Sequence, residues 1–185
     1  IASEFRYRDP VIGPDCLCVA VSQSGETADT LAAMRLARQA GARVLAVTNT
    51  LGSQATREAD GVLFTRAGLE IGVAATKTLV SQILAMLLLS LYMAELRGGL
   101  GSDRVRQYTE ELRRIPAQLS DYLEDGAAAR VEDVAARYAS SGFFMCLGRD
   151  IGLPVALEGA LKLKEISYIP TEAYPAGEMK HGPIA

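Results

Sequence analysis

A single histidine, three cysteines and no surplus of positive charge narrow the chemistry of this 185-residue chain before any motif is read. The formal net charge of −3 excludes sequence-independent nucleic-acid binding, which needs a basic surface. The cysteines cannot form a paired framework. Their number is odd, and Cys16 and Cys18 sit two apart on one strand face, where a bridge would distort the backbone. Cys146 lies in another apolar segment, and no histidine stands near any of the three, so neither a metal site nor a disulfide is expected. Free thiols in a reducing cytoplasm are the expectation. No GxGxxG run offers a seat for a dinucleotide. The segment 72–78, GVAATKT, lacks the second glycine and the preceding strand of a nucleotide-phosphate loop, which excludes a nucleoside triphosphate. No cofactor is expected. The longest uncharged apolar stretch, residues 78–94, runs for about 17 residues against the roughly 20 that span a bilayer. Ser81, Gln82 and Ser90 interrupt it, so a helix buried in the core or at a subunit interface is expected, with no membrane contact. The start, IASEFRYR, has neither an initiator Met nor the apolar centre of a signal peptide and reads as the interior of a longer protein.

Against that background the run Ser22-Gln23-Ser24-Gly25-Glu26-Thr27 stands out. It follows Cys16-Leu17-Cys18-Val19-Ala20-Val21, a short apolar run that reads as a parallel strand covered on both faces, and it precedes a helical pattern with Leu31, Met34, Leu36 and Ala37. Three hydroxyls, a glycine that permits a tight turn and the unpaired N–H groups of a helix start all favour an anion. An ordinary N-capped helix would also place Ser and Thr here.

The following segments alternate. Residues 43–49 read as a strand, 54–59 as a short helix and 61–65 as a strand, giving a parallel sheet whose post-strand loops share one edge. The loop 67–73 belongs to that edge. Three helical segments follow, at about 72–97, 103–124 and 127–140, and a break near Asp125-Gly126 divides the chain into 1–125 and 126–185. A strand at 143–148 and a helix at 154–166 then repeat the opening arrangement. The fold class is α/β with parallel sheets, and the second unit reads as incomplete.

Glu158, Lys162 and Glu165 fall at i, i+4 and i+7 of that last helix and therefore on one face. Spacing alone is equally satisfied by a surface ion pair worth about 0.5 kcal/mol. Leu157, Ala160, Leu161, Leu163 and Ile166 surround them, and a carboxylate beside an ammonium in a partly dry cleft would suit proton abstraction. His181 stands in a polar, glycine-bounded loop, where a solvated histidine is the plain reading.

Four segments together, SQSGETADT at 22–30, EIGVAATKT at 70–78, ALEGALKLKEISYI at 156–169 and AYPAGEMKHGP at 173–183, resemble one family. It is the isomerase half of the glutamine–fructose-6-phosphate aminotransferases, built from two sugar-isomerase (SIS) domains of three-layer, flavodoxin-like architecture. The resemblance runs along the whole chain. It implies that Ser22, Gln23, Ser24 and Thr27 hold the phosphate of a hexose, and that Glu70 and Val73 lie against the sugar. It further implies that Glu165 moves a proton between C1 and C2, that Lys162 assists, and that His181 opens the sugar ring from the partner subunit of a homodimer. The implied substrate and product are fructose 6-phosphate and glucosamine 6-phosphate, with ammonia from a glutaminase domain outside this chain. Ala75 stands where many members carry a serine near the phosphate. The family's upstream loop and its C-terminal lysine tail have no counterpart here, so impaired turnover is expected of this stretch alone. A noncatalytic SIS module that senses a sugar phosphate is the other reading; it would need the cradle but not Glu165 and His181 together.

Overall fold

Arg43-Val44-Leu45-Ala46-Val47-Thr48 is a nearly unbroken apolar run, and it forms the middle strand of a sheet, as such runs do when both faces are covered. The computed structural model describes residues 1–184. The chain divides into two compact units, Ile1–Val105 and Arg106–Ala185.

In the first unit, strands β1 (Leu17–Ser22), β2 (Arg43–Thr48) and β3 (Gly61–Phe64) lie side by side in that order, all parallel. The register pairs Ser22 with Thr48 and Thr48 with Phe64, so the three post-strand loops leave from one edge. A short helix α1 (Ala2–Phe5) precedes the sheet. Helices α2 (Ala28–Gln39) and α3 (Gln54–Glu58) are the crossovers between its strands. The core is small: Leu31, Met34 and Ala37 of α2 meet Val44 and Ala46 of β2 and Ala55 of α3. Each large aliphatic side chain fully buried there contributes roughly 1.5–3 kcal/mol. Asp60 seals the sheet's other end by accepting from the Val44 N–H at 2.8 Å, the main reason its carboxyl is held below the usual range.

Two expectations are corrected in this unit. β1 is an edge strand rather than one covered on both faces: Cys18 and Ala20 pack on the core, but Leu17 and Val21 on the other face are 49% and 39% exposed. The apolar helix α4 (Lys77–Leu96) is not buried in the core. Only its Thr78 and Leu91 are buried, while Val80, Ile83, Tyr92 and Leu96 are more than half exposed. It touches the sheet along one narrow side, where Ala85, Leu88, Leu89 and Tyr92 face Leu63 and Phe64 across a cleft. By length and apolarity alone α4 could cross a membrane; its Ser81 and Ser90 hydroxyls donate back to the carbonyls of Lys77 and Met86.

Helix α5 (Ser102–Tyr122) spans the division between the units. Leu123–Ala127 then breaks the helical run, with Asp125 and Gly126 outside helical geometry, and α6 (Ala128–Tyr138) follows. The break predicted at Asp125-Gly126 thus lies inside the second unit. β4 (Phe144–Gly148), α7 (Gly152–Ser167) and β5 (Thr171–Pro175) complete that unit, with the two strands parallel and paired from Phe144–Thr171 to Gly148–Pro175. β5 is a strand that no run in the sequence announces. Two prolines and a polar, five-residue run hide it, but Thr171 is buried and the ladder to β4 is complete. A side chain at Gly148 would collide with the Gly152 carbonyl, 2.3 Å from where its Cβ would stand, so glycine is what lets α7 start against the strand end.

Candidate active site

The hydroxyl run sits at the sheet edge where ligands bind in parallel α/β folds. Gly25 turns the chain with φ +67°, a conformation L-residues adopt at a cost. Its N–H donates to Ser22 Oγ at 3.1 Å, and Ser22 Oγ shares a 3.2 Å hydrogen bond with Thr27 Oγ1. The Glu26 N–H donates to Ser24 Oγ at 3.2 Å. Ser22, Ser24 and Thr27 are thus brought together around Gly25, with the Gln23 backbone between them. Thr27 occupies the N-cap position of α2, yet its side chain makes no capping bond. The plain reading of the run as a capped helix start therefore does not describe it: the Thr27 hydroxyl bonds to Ser22 Oγ instead of capping α2.

The start of α4 is built the opposite way. The Glu70 carboxylate accepts from the Thr78 hydroxyl at 2.7 Å, the Thr78 N–H at 3.1 Å and the Thr76 N–H at 3.2 Å. Chiefly the Thr78 hydroxyl, and then these N–H groups, hold its carboxyl below the ordinary range. Glu70 is therefore committed to capping α4, while Val73, the other predicted sugar contact, is 94% exposed. Between the cradle and this loop lies Asn49, whose Oδ1 accepts from the Thr65 hydroxyl and the Ala67 N–H while its Nδ2 donates to the Gly68 carbonyl. Asn49, Leu51, Phe64, Arg66 and Gly68 line a shallow cleft on the same edge.

In the second unit α7 carries the charged stripe as its spacing predicts. Lys162 Nζ lies 2.9 Å from Glu165 Oε2 and 3.1 Å from Glu158 Oε1, with all three side chains about a quarter to a third exposed. The hydrogen bond to Glu165, followed by that to Glu158, holds the lysine above its usual pKa, so it stays an ammonium between two carboxylates. Such a trio can orient a carboxylate and stabilise charge on a neighbouring oxygen.

His181 does not join it. The crossover runs back along the strands: α7 begins against Gly148, at the C-terminal edge of the β4–β5 sheet, and ends at Tyr168, before the Pro170 carbonyl accepts from Phe144 N–H at the opposite edge. The 13 helical steps from Gly152 to Glu165 cover roughly 20 Å. His181 follows β5 at the starting edge, held in a turn by Glu178 N–H to Pro175 O and His181 N–H to Glu178 O, and its side chain is exposed. Within this unit Glu165 and His181 therefore occupy opposite ends.

Sequence reasoning missed the loop after β2. Thr48, Asn49, Ser53, Gln54 and Ala55 all contact the cradle or brace its neighbour. The available signal was their position just past a buried parallel strand, on the cradle's own edge.

Residues 1–92 match the SIS domain family. Over all 185 residues the chain is 54% identical to a glutamine–fructose-6-phosphate aminotransferase [isomerizing] of Mycobacterium tuberculosis and 51% identical to that of Corynebacterium diphtheriae. It spans 29% of the length of each of these relatives. The solved C-terminal domain of glucosamine-fructose-6-phosphate aminotransferase from Francisella tularensis is 42% identical, with a TM-score of 0.94 over all of this chain and 52% of that one.

Proposed function

Residues 1–92 being a SIS domain, we propose that the chain is part of a sugar-phosphate isomerase module that converts fructose 6-phosphate and ammonia to glucosamine 6-phosphate and water. Ser22, Gln23, Ser24 and Thr27 hold the phosphate, whose binding energy positions the open-chain sugar. Glu165 takes the proton from C1 and returns it to C2. Lys162 keeps that carboxylate oriented and balances charge on the sugar oxygens, and His181 serves ring opening. Glu70 and Val73 flank the sugar, Glu70 through the loop it anchors to α4.

The observation that carries the isomerase reading is the Lys162–Glu165 contact at 2.9 Å, preassembled on a half-covered helix face that a sensing module would not need. In the intact protein carrying this chain, Glu165→Gln is expected to abolish turnover while fructose 6-phosphate still binds; full turnover in that variant would remove Glu165 from the mechanism.

A homodimer in which His181 serves the partner's Glu165 is part of the same proposal. Two features support it: the separation of the two residues within one unit, and the uncovered apolar side of α4, which a second copy would bury. Ammonia would come from a glutaminase domain in the longer protein. A cytoplasmic setting fits the three free thiols.

A further inference from the structure

We propose that the segment from the end of β2 to the start of α3, residues 48–55, sets the shape of the phosphate cradle, and that Thr48 and Glu26 are positioning residues for the phosphate. The inference rests on the reading of residues 22–27 as the phosphate site.

Three donors from this loop converge on one cradle carbonyl. Gln23 O accepts from Asn49 N–H at 3.1 Å, Thr48 Oγ1 at 3.2 Å and Thr50 Oγ1 at 3.4 Å. Two residues on, Gly25 O accepts from Ala55 N–H at 2.9 Å. A trans peptide sets its carbonyl and the next N–H in opposite directions. Drawing the carbonyls of Gln23 and Gly25 into the loop therefore turns the N–H groups of Ser24 and Glu26 away from it, towards the side on which Ser24 Oγ lies. The loop thereby chooses which face of the cradle presents donors.

Glu26 explains itself in the same terms. A carboxylate free beside a phosphate would repel it. Here Glu26 Oε1 instead accepts from the Gln54 N–H at 2.7 Å, which points the charge into the loop and ties the cradle to the start of α3. Below them, the Ser53 side chain is 2% exposed, its hydroxyl has no partner among the described residues, and it lies where a Cβ on Gly25 would stand. Thr48 is fully buried, so its hydroxyl has no water to turn to, and its donation to Gln23 O is the deepest of the ties.

The test uses the intact protein with fructose 6-phosphate and inorganic phosphate as probes, binding measured by calorimetry and folding by thermal unfolding. Loss of one such hydrogen bond corresponds to about 3–10-fold, so Thr48→Val and Glu26→Ala are each expected to weaken both probes by that factor. Glu26→Gln keeps the acceptor and should restore binding to within about twofold, as Thr48→Ser should for Thr48→Val. In turnover, KM is expected to rise more than kcat falls. Glu26→Ala and Glu26→Gln behaving alike, whether unchanged or both tighter, would overturn the positioning role and leave charge alone. So would Thr48→Val binding as tightly as the parent. Should the unmodified protein bind neither probe, the phosphate reading itself fails, a result distinct from binding that the variants leave untouched.

Discussion

The first unit's cradle is held largely through its own main-chain groups, met by backbone and side-chain partners, whereas the second unit's charged stripe is held by side chains. In the cradle, carbonyls of Gln23 and Gly25 and the N–H groups of Gly25 and Glu26 are all engaged, by neighbours from β1, by the cradle's own Ser24 and by the post-β2 segment. On α7 the polar partners of the three charged groups, among the described residues, are one another, at the positions helical geometry dictates. The difference separates two tasks. A phosphate is bound by donors whose direction matters, and main-chain donors are rigid and cheap to preorganise. Proton transfer needs a side chain that can gain and lose charge, and the partners that finish such a site need not come from the same stretch of chain. On the proposed reading the first unit is locally self-sufficient for its task, and the second, with Glu165 and His181 at opposite ends, is not.

The widest gap between the two regions should open with Glu165→Gln in the intact protein: a fall in kcat of about 10²–10⁴-fold, with fructose 6-phosphate affinity kept. Equal losses of binding and turnover would merge the two sites that the comparison separates. Mixing is the next test. Glu165→Gln and His181→Ala proteins, each inactive alone, should regain about a quarter of parental activity when unfolded and reassembled together, since half the dimers are mixed and each mixed dimer has one complete site. No recovery would mean that His181 serves its own subunit or is not needed. A third test bears on the first unit alone. Gly25→Ala must place a Cβ 2.2 Å from Ser53 Oγ at φ +67°, and is expected to cost about 1–3 kcal/mol in urea unfolding and to abolish phosphate binding without touching α7.

The smallest expected effect is on acid stability. Glu58 of α3 accepts two hydrogen bonds from Arg35, at 2.6 and 2.8 Å, and one from Gln54, which lower its pKa from 4.5 to about 2. A carboxyl depressed on folding stabilises the folded chain above its unfolded value and loses that contribution as pH falls through the folded one. The contribution should be complete above pH 4.5 and fade towards pH 2. Because the pair is largely at the surface, the change is modest. Glu58→Gln should flatten the pH dependence of the unfolding midpoint over that window and loosen α3, and with it the cradle, before the second unit responds. An unchanged profile would detach α3 from the cradle's stability.

Legibility followed the same divide. The cradle, the three strands of its sheet and the charged stripe all rest on short-range patterns: an apolar run, a glycine after it, charges four and three residues apart. Their positions in the fold agree with what those patterns predict. The capping role of Glu70 was not legible because its loop returns onto α4, six to eight residues downstream, where the carboxylate accepts from Thr76 and Thr78. β5 escapes because its pairing with β4 spans the whole of α7, and nothing within Thr171–Pro175 announces a strand. α4 reads as core because composition reports how apolar a helix is, not what stands beside it.

The amino-acid order alone was enough to establish a parallel α/β chain with a hydroxyl-rich turn at a helix start and a carboxylate–lysine–carboxylate stripe on a later helix, because each depends on residues within a few turns or a single strand. Tertiary structure decided the rest. It turned the Gln23 and Gly25 carbonyls into a loop some 25–30 residues away, gave the α4 start to Glu70, exposed most of α4, and set Glu165 and His181 at opposite ends of one unit. Such contacts are made between segments far apart in the chain, and their geometry exists only once the strands between them have paired.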